Sequence, residues 1–218
     1  TIFALLNDRY EKDPEGIVAQ TLRGPKRQWT DITAAHMIDD VRKAAKGLLG
    51  LGIAKGDTVL IYSPTSYEWG VIDFACAAIG AVSVPVYDTD SAKQVAMIVK
   101  ETSPQVAFAG GDERAIVLED LRQSSDNSVR YSFNLMSHGL QAVADWGTKI
   151  SDEQLDGAIS QVKADDPLTI IFTSGSTGQP KGAVLSHRNF VHTAKNGYEV
   201  LPNMLAGDPT RLLLFLPL

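Results

Sequence analysis

An α/β chain is predicted, with mostly parallel sheets flanked by helices, and three observations carry that prediction. Short β-branched apolar runs recur along the chain, segments of helical period lie between them, and Ser/Thr-x-x-Glu/Gln pairs stand where those segments begin. Gln28 to Ile32 reads as a short extended piece. Thr33 to Leu49 follows with Met37, Val41, Ala44, Ala45, Leu48 and Leu49 at helical spacing, and Gly50 and Gly52 are its expected stops. Thr58 to Tyr62 (TVLIY) has the continuous run of a strand covered on both faces. Pro64 breaks it, and Thr65 with Glu68 is read as a capping box opening a helix to about Ile79. Val82 to Tyr87 is the next strand, Ser91 with Gln94 caps a helix to about Glu101, and Val106 to Ala109 is a third strand. This strand–helix alternation implies right-handed crossovers and parallel pairing. Helices are also expected at Asp112–Leu121 and, capped by Ser151 and Gln154, at Asp152–Val162, on either side of a polar stretch at Gln123 to Ser128. Leu168 to Phe172 (LTIIF) and Ala183 to Leu185 read as strands, and a helix is expected from near Ser186.

Composition bounds the function classes. The 218 residues are 44% hydrophobic and 21% charged, enough apolar material for a substantial core in one or two domains. A net charge of -6 argues against a nucleic-acid partner, whose footprint would be a basic excess. Cys76 is the single cysteine, so an internal disulfide and an all-cysteine metal site are both excluded; a reducing compartment, the cytoplasm, is expected. The longest apolar stretch, Val71 to Tyr87, is interrupted by Asp73, Gly80 and Pro85, so no transmembrane segment is expected; peripheral membrane contact is left open. The chain ends within the apolar run Arg211 to Leu218 (RLLLFLPL), and it is read as a fragment.

The segment richest in chemistry is TSGSTGQPKG, Thr173 to Gly182, with three glycines, four hydroxyls and one lysine in ten residues. Glycines let main-chain N–H groups approach an anion, Thr173, Ser174, Ser176 and Thr177 offer hydroxyl donors, and Lys181 supplies a mobile cation. On composition alone, a surface hairpin is an equally good reading. Walker A geometry is excluded in every register, because Pro180 precedes Lys181 and Gly182 follows it. A dinucleotide fold is excluded because SPTSYEWG, not a G-x-G-x-x-G, follows Tyr62. His187 and His192 stand at i, i+5, off a common helix face, and Ser186 reads as an N-cap. His36 and His138 are assigned no direct role. Asp88 and Asp90 read as turn and cap residues, and Trp69, Phe74 and Cys76 as core.

TSGSTGQPKG is similar to the signature of the adenylate-forming superfamily, which includes acyl-CoA synthetases, luciferases and peptide-synthetase adenylation domains. WTDITAAHM (Trp29 to Met37) and GAVSVPVYDTDS (Gly80 to Ser91) resemble two further core motifs, and LLLFLPL resembles the approach to a fourth. Phe172 departs from the pattern, since many members have Tyr there. The resemblance covers essentially the whole chain and is closest to long-chain fatty acyl-CoA synthetases. It implies that residues 1–218 are the N-terminal portion of the AMP-binding (adenylation) domain, the C-terminal part being absent. It also implies ATP, Mg²⁺ and coenzyme A, a fatty acid substrate, and phosphate contacts from Thr173, Ser174, Gly175, Ser176, Thr177, Gly178 and Lys181. No direct protein ligand to the metal is expected, and the catalytic residues are expected beyond Leu218. The alternatives are a fatty acyl-AMP ligase, a peptide-synthetase adenylation domain, or a binding module without turnover.

Overall fold

The computed structural model describes residues 1–23, 28–124, 128–173 and 181–200. Helix α1 (Ile2–Lys12) precedes an antiparallel ribbon of β1 (Ile17–Arg23) and β2 (Gln28–Thr33). Helix α2 (Ala34–Gly50) begins at Thr33, whose hydroxyl accepts from the His36 N–H. The main body then alternates β3 (Thr58–Tyr62), α3 (Tyr67–Ile79), β4 (Val82–Val86), α4 (Ala92–Thr102), β5 (Val106–Ala109), α5 (Asp112–Gln123) and β6 (Tyr131–Asn134). Next come α6 (Gly139–Trp146), a 3-10 turn at Gly147–Lys149, and α7 (Asp152–Ser160). The described chain closes with β7 (Pro167–Thr173), β8 (Lys181–Ser186) and α8 (His187–Val200).

Six strands form one sheet in the order β6-β5-β3-β4-β7-β8, parallel throughout except for the β7–β8 hairpin. The mostly parallel sheet is therefore as the sequence predicts. Alternation along each strand divides the core in two. Val59, Ile61, Val106 and Phe108 face the layer of α1, α2, α3, α6 and α7, whereas Leu60, Tyr62, Ala107 and Ala109 face α4 and α5. Both faces are covered, which is why β3 and β5 read as unbroken apolar runs.

The capping boxes at Ser91/Gln94 and Ser151/Gln154 form with both reciprocal bonds. At α3, where the sequence suggests Thr65 as the N-cap, the cap is its neighbour Ser66, whose hydroxyl accepts from the Trp69 N–H at 3.1 Å. Both Thr65 and Ser66 are competent caps, and the fold decides between neighbours by which peptide first turns helical. Helix α2 runs through Gly50, and Gly52, at φ 86°, takes the left-handed turn beyond it. Four elements escape a local reading: α1, β1, β6 and α6. Strand β6 is half-buried along its length with no alternation, and β1 is defined by pairing with β2.

Close helix contact in the first layer depends on glycine. A Cβ on Gly47 of α2 would lie 2.1 Å from the Val143 carbonyl oxygen of α6, and one on Gly147 would lie 2.6 Å from the Gly47 nitrogen. The backbones of α2 and α6 therefore meet with no side chain between them at this point. Cys76, Trp69 and the neighbouring residues of α3 are buried as expected, with Phe74 partly buried against the same cluster. The run Arg211 to Leu218 lies outside the described residues.

Candidate functional site

Strands β7 and β8 form the hairpin that carries the Gly/Ser/Thr-rich segment. Their register pairs Thr173 with Lys181, Phe172 with Gly182, Ile171 with Ala183 and Ile170 with Val184. Thr173 and Lys181 are thus the last pair among the described residues. Both are solvent-exposed, and Lys181 makes no ion pair among the described residues. Ser174, Gly175, Ser176, Thr177 and Gly178 lie outside the described residues. Phe172 inserts into the cluster shared with Tyr62, Val84 and Val86, and Gly182 opposite leaves room for it: a Cβ there would stand 3.1 Å from the Phe172 ring.

The far end of the hairpin is bolted down by polar contacts. Ser186 and Asn189 cap α8 reciprocally: the Ser186 N–H donates to Asn189 Oδ1 at 2.8 Å, and the Asn189 N–H to Ser186 Oγ at 3.4 Å. The next two N–H groups, of His187 and Arg188, donate to the carbonyls of Asp166 and Ala164. Lys55 Nζ sits 2.7 Å from Asp166 Oδ2, and its hydrogen bond holds that carboxyl below its ordinary range. The His187 ring is fully buried; Nδ1 accepts from the Ile2 N–H at 3.3 Å, and burial above all lowers its pKa to about 4. His187 is thus a neutral structural residue, packed where i, i+5 spacing from the exposed His192 offers no shared ligand face.

On its other side β7 meets β4 through Ser83 and Thr169. Thr169 Oγ1 donates to the Ser83 carbonyl at 3.0 Å, and Ser83 Oγ donates to the Leu168 carbonyl at 3.4 Å. Asp73 of α3 reaches the same spot: burial raises its pKa to about 6, and hydrogen bonding with Ser83 opposes the rise. The ionised carboxylate is therefore a burden on the fold at neutral pH. Below the ordinary value of 3.8 the penalty vanishes in both folded and unfolded chains, and it is complete above about 6. Asp73→Asn should stabilise the protein at pH 7 by about 1–2 kcal/mol, below the roughly 3 kcal/mol of a fully enclosed group because part of Asp73 stays exposed. Urea denaturation at pH 7 and pH 4 checks this; a gain of equal size at both values would refute the assignment to charge.

A second polar corner sits at the carboxyl ends of β3, β4 and β5 and was not legible in the sequence. Arg114 donates to the carbonyls of Gly110 (3.0 Å) and Asp88 (2.9 Å), and its guanidinium lies 5.6 Å from the centre of the Tyr62 ring. The Tyr62 hydroxyl donates to the Asp90 carbonyl at 2.7 Å. Asp88 and Asp90 accordingly serve the turn after β4, as their spacing suggested. The available signal was the Gly110–Gly111 pair after a buried strand, which marks the helix start that presents Arg114. Among the described residues, no three His, Cys, Asp or Glu side chains gather as a metal site would require. His36 lies 3.3 Å from Asp40, and His138, at φ 59°, is the N-cap of α6.

The family model of the AMP-binding enzymes matches residues 8–218. A long-chain-fatty-acid–CoA ligase, FadD15 of Mycobacterium bovis, is 36% identical over the whole chain, and the match covers 36% of that protein. A solved Mycobacterium tuberculosis fatty acyl CoA synthetase superposes with a TM-score of 0.73 at 27% identity, over 91% of this chain and 37% of the other. A fatty acyl-adenylate ligase from L. pneumophila, at 19% identity and a TM-score of 0.68 over 91% of this chain and 32% of the other, shares the fold. The chain spans about a third of the length of the curated relative it matches over its whole length.

Proposed function

This chain belongs to the AMP-binding enzyme family, and on that premise we propose that the intact protein activates a long-chain fatty acid with ATP and passes the acyl group to coenzyme A. The carboxylate oxygen attacks the α-phosphorus, the bond to the leaving pyrophosphate breaks, and an acyl-adenylate forms. The thiol of coenzyme A then takes the acyl group, and AMP leaves. The 36% identity to a ligase of that name along the full chain supports the fatty acid and the thiol acceptor.

One observation carries the phosphate assignment: the hairpin register sets Thr173 opposite Lys181, so a hydroxyl and a cation with no ion pair among the described residues flank the loop. In this reading Thr173, Ser174, Gly175, Ser176, Thr177, Gly178 and Lys181 hold the β- and γ-phosphates and stabilise charge as pyrophosphate departs. Mg²⁺ would neutralise phosphate charge and arrive on the nucleotide; the described side chains offer no carboxylate cluster to hold it. These 218 residues then form the N-terminal portion of the adenylation domain, with the adenosine-contacting and catalytic groups contributed by sequence outside them. The single cysteine, Cys76, supports a reducing compartment, the cytoplasm, for the intact protein.

Fatty-acid-dependent ATP–pyrophosphate exchange by the intact protein, followed by acyl-CoA formation, tests the reading. Acyl-adenylate that accumulates without thioester would replace the coenzyme A step with an acyl-AMP ligase, and absence of exchange would remove the enzyme reading altogether. The 218-residue chain alone should release no AMP from fatty acid, ATP and coenzyme A. Turnover of about 1 per second or more would show that the catalytic groups lie within it.

A further inference from the structure

Strand β7 is held unequally by its two neighbours. Along β8 it is paired from Pro167 to Thr173, whereas its register with β4 contains one pair, Ser83 with Thr169. By contrast β4 pairs with β3 through all five residues, from Thr58–Val82 to Tyr62–Val86. Strands β4 and β7 lie side by side within one sheet, yet their hydrogen-bonded register is a single rung, and Pro85 of β4 has no N–H to offer beyond it. At that rung the Thr169 hydroxyl donates to the Ser83 carbonyl at 3.0 Å, and the Ser83 hydroxyl, 3.4 Å from the Leu168 carbonyl, divides its one proton between that oxygen and the Asp73 carboxyl. Both residues are buried, at 5% and 0% exposure. Buried polar residues number four among the described residues: Ser63, Ser83, Thr169 and His187. Three of them lie where the hairpin is fastened, so polar groups are spent at this junction and almost nowhere else in the core.

The position of the rung gives it leverage. Thr173 stands four residues further along β7, roughly 13 Å at the rise of an extended strand. A swing of about 5° at the rung would move the loop mouth by about 1 Å, a displacement to which a reaction that depends on alignment is sensitive. Between rung and mouth, the ladder of Ile170–Thr173 runs to β8 alone, and Phe172 supplies the apolar contact with the second core cluster.

We infer that Ser83 and Thr169 are positioning residues, a crossed hydroxyl tie that sets the angle of the phosphate-holding hairpin against the parallel sheet. The inference rests on the reading of that hairpin as the triphosphate site. Neither residue touches substrate; each acts through β7.

The test uses the intact protein. Thr169→Val keeps the β-branched shape and removes the hydroxyl, Thr169→Ser keeps the hydroxyl, and Ser83→Ala removes the other half of the tie. Thr169→Val and Ser83→Ala should each raise KM for ATP in the exchange reaction by about three- to tenfold, while thioester formation from synthetic acyl-adenylate stays within about twofold. Thr169→Ser should restore the KM. Hydrogen exchange at the Ile170–Thr173 amides should quicken in Thr169→Val and recover in Thr169→Ser. Leu48→Ala, a core truncation in α2 on the opposite face of the sheet from Phe172, should lower the melting temperature and leave the KM in place. An unchanged KM in Thr169→Val, failure of Thr169→Ser to restore it, or an equal rise in Leu48→Ala would each overturn the positioning role. A wild-type protein without exchange activity overturns the underlying reading instead, and that outcome is visible before any variant is compared.

Discussion

ATP–pyrophosphate exchange by the intact protein falls about ten- to a hundredfold in Lys181→Ala, while thioester formation from supplied acyl-adenylate holds within about twofold; this is the largest functional effect expected from the described residues. A charge-assisted contact to a phosphate oxygen is worth about 1.5–3 kcal/mol, which converts to that range of rate. Lys181 opens β8 directly across from Thr173, exposed and free of any ion pair among the described residues. No described carboxylate pairs with its charge, and its loss should leave stability almost unchanged. The half-reaction that contains no pyrophosphate should not sense it. Equal losses in both half-reactions would place Lys181 somewhere other than on the leaving phosphates.

Gly47→Ala should destabilise the first helical layer strongly, by about 2–4 kcal/mol. Helix propensity alone would favour Ala over Gly by about 1 kcal/mol. Against that stands a Cβ placed 2.1 Å from the Val143 carbonyl oxygen and 2.7 Å from its carbon, both backbone atoms that no rotamer change can move aside. Helices α2 and α6 would have to separate, opening the packing around Val143, which is wholly buried. Gly70 in α3 is the matched control, since a Cβ there meets nothing within 4 Å. Gly70→Ala should stabilise by about 0.5–1 kcal/mol. Chemical denaturation of both variants decides the matter: if Gly47→Ala gained stability as Gly70→Ala does, the backbone contact between α2 and α6 would be wrong.

The first of these changes is suggested by the sequence and the second is invisible in it, and the same division runs through the protein. Apolar periodicity, β-branched runs and the Ser91/Gln94 and Ser151/Gln154 boxes depend on residues within one turn or one strand, so they can be read locally. With them came the strand–helix alternation and its parallel pairing, and the motif from Thr173 to Gly182 pointed to the family whose model matches residues 8–218. Even at this scale the local reading missed the helices α1 and α6, and it placed a cap at Thr65 where Ser66 serves, since adjacent hydroxyl residues are equivalent until the backbone chooses.

Tertiary structure decided everything that joins residues far apart in sequence. The order β6-β5-β3-β4-β7-β8 brings Ser83 to Thr169 and leaves the hairpin on a single rung, and no window around either residue contains that information. Arg114 finds Tyr62 and Asp88 only because β3, β4 and β5 end side by side. His187, read from sequence as one of two helix histidines without a role, becomes a buried neutral acceptor because α1 lies against α8. Asp73 acquires its raised pKa from burial beside Ser83, ten positions along the chain and across an α3–β4 turn. Local preference is written in neighbouring side chains and survives in any fold. Solvent exclusion and the pairing of buried polar groups exist only once distant segments have packed, and these determine how the hairpin is held.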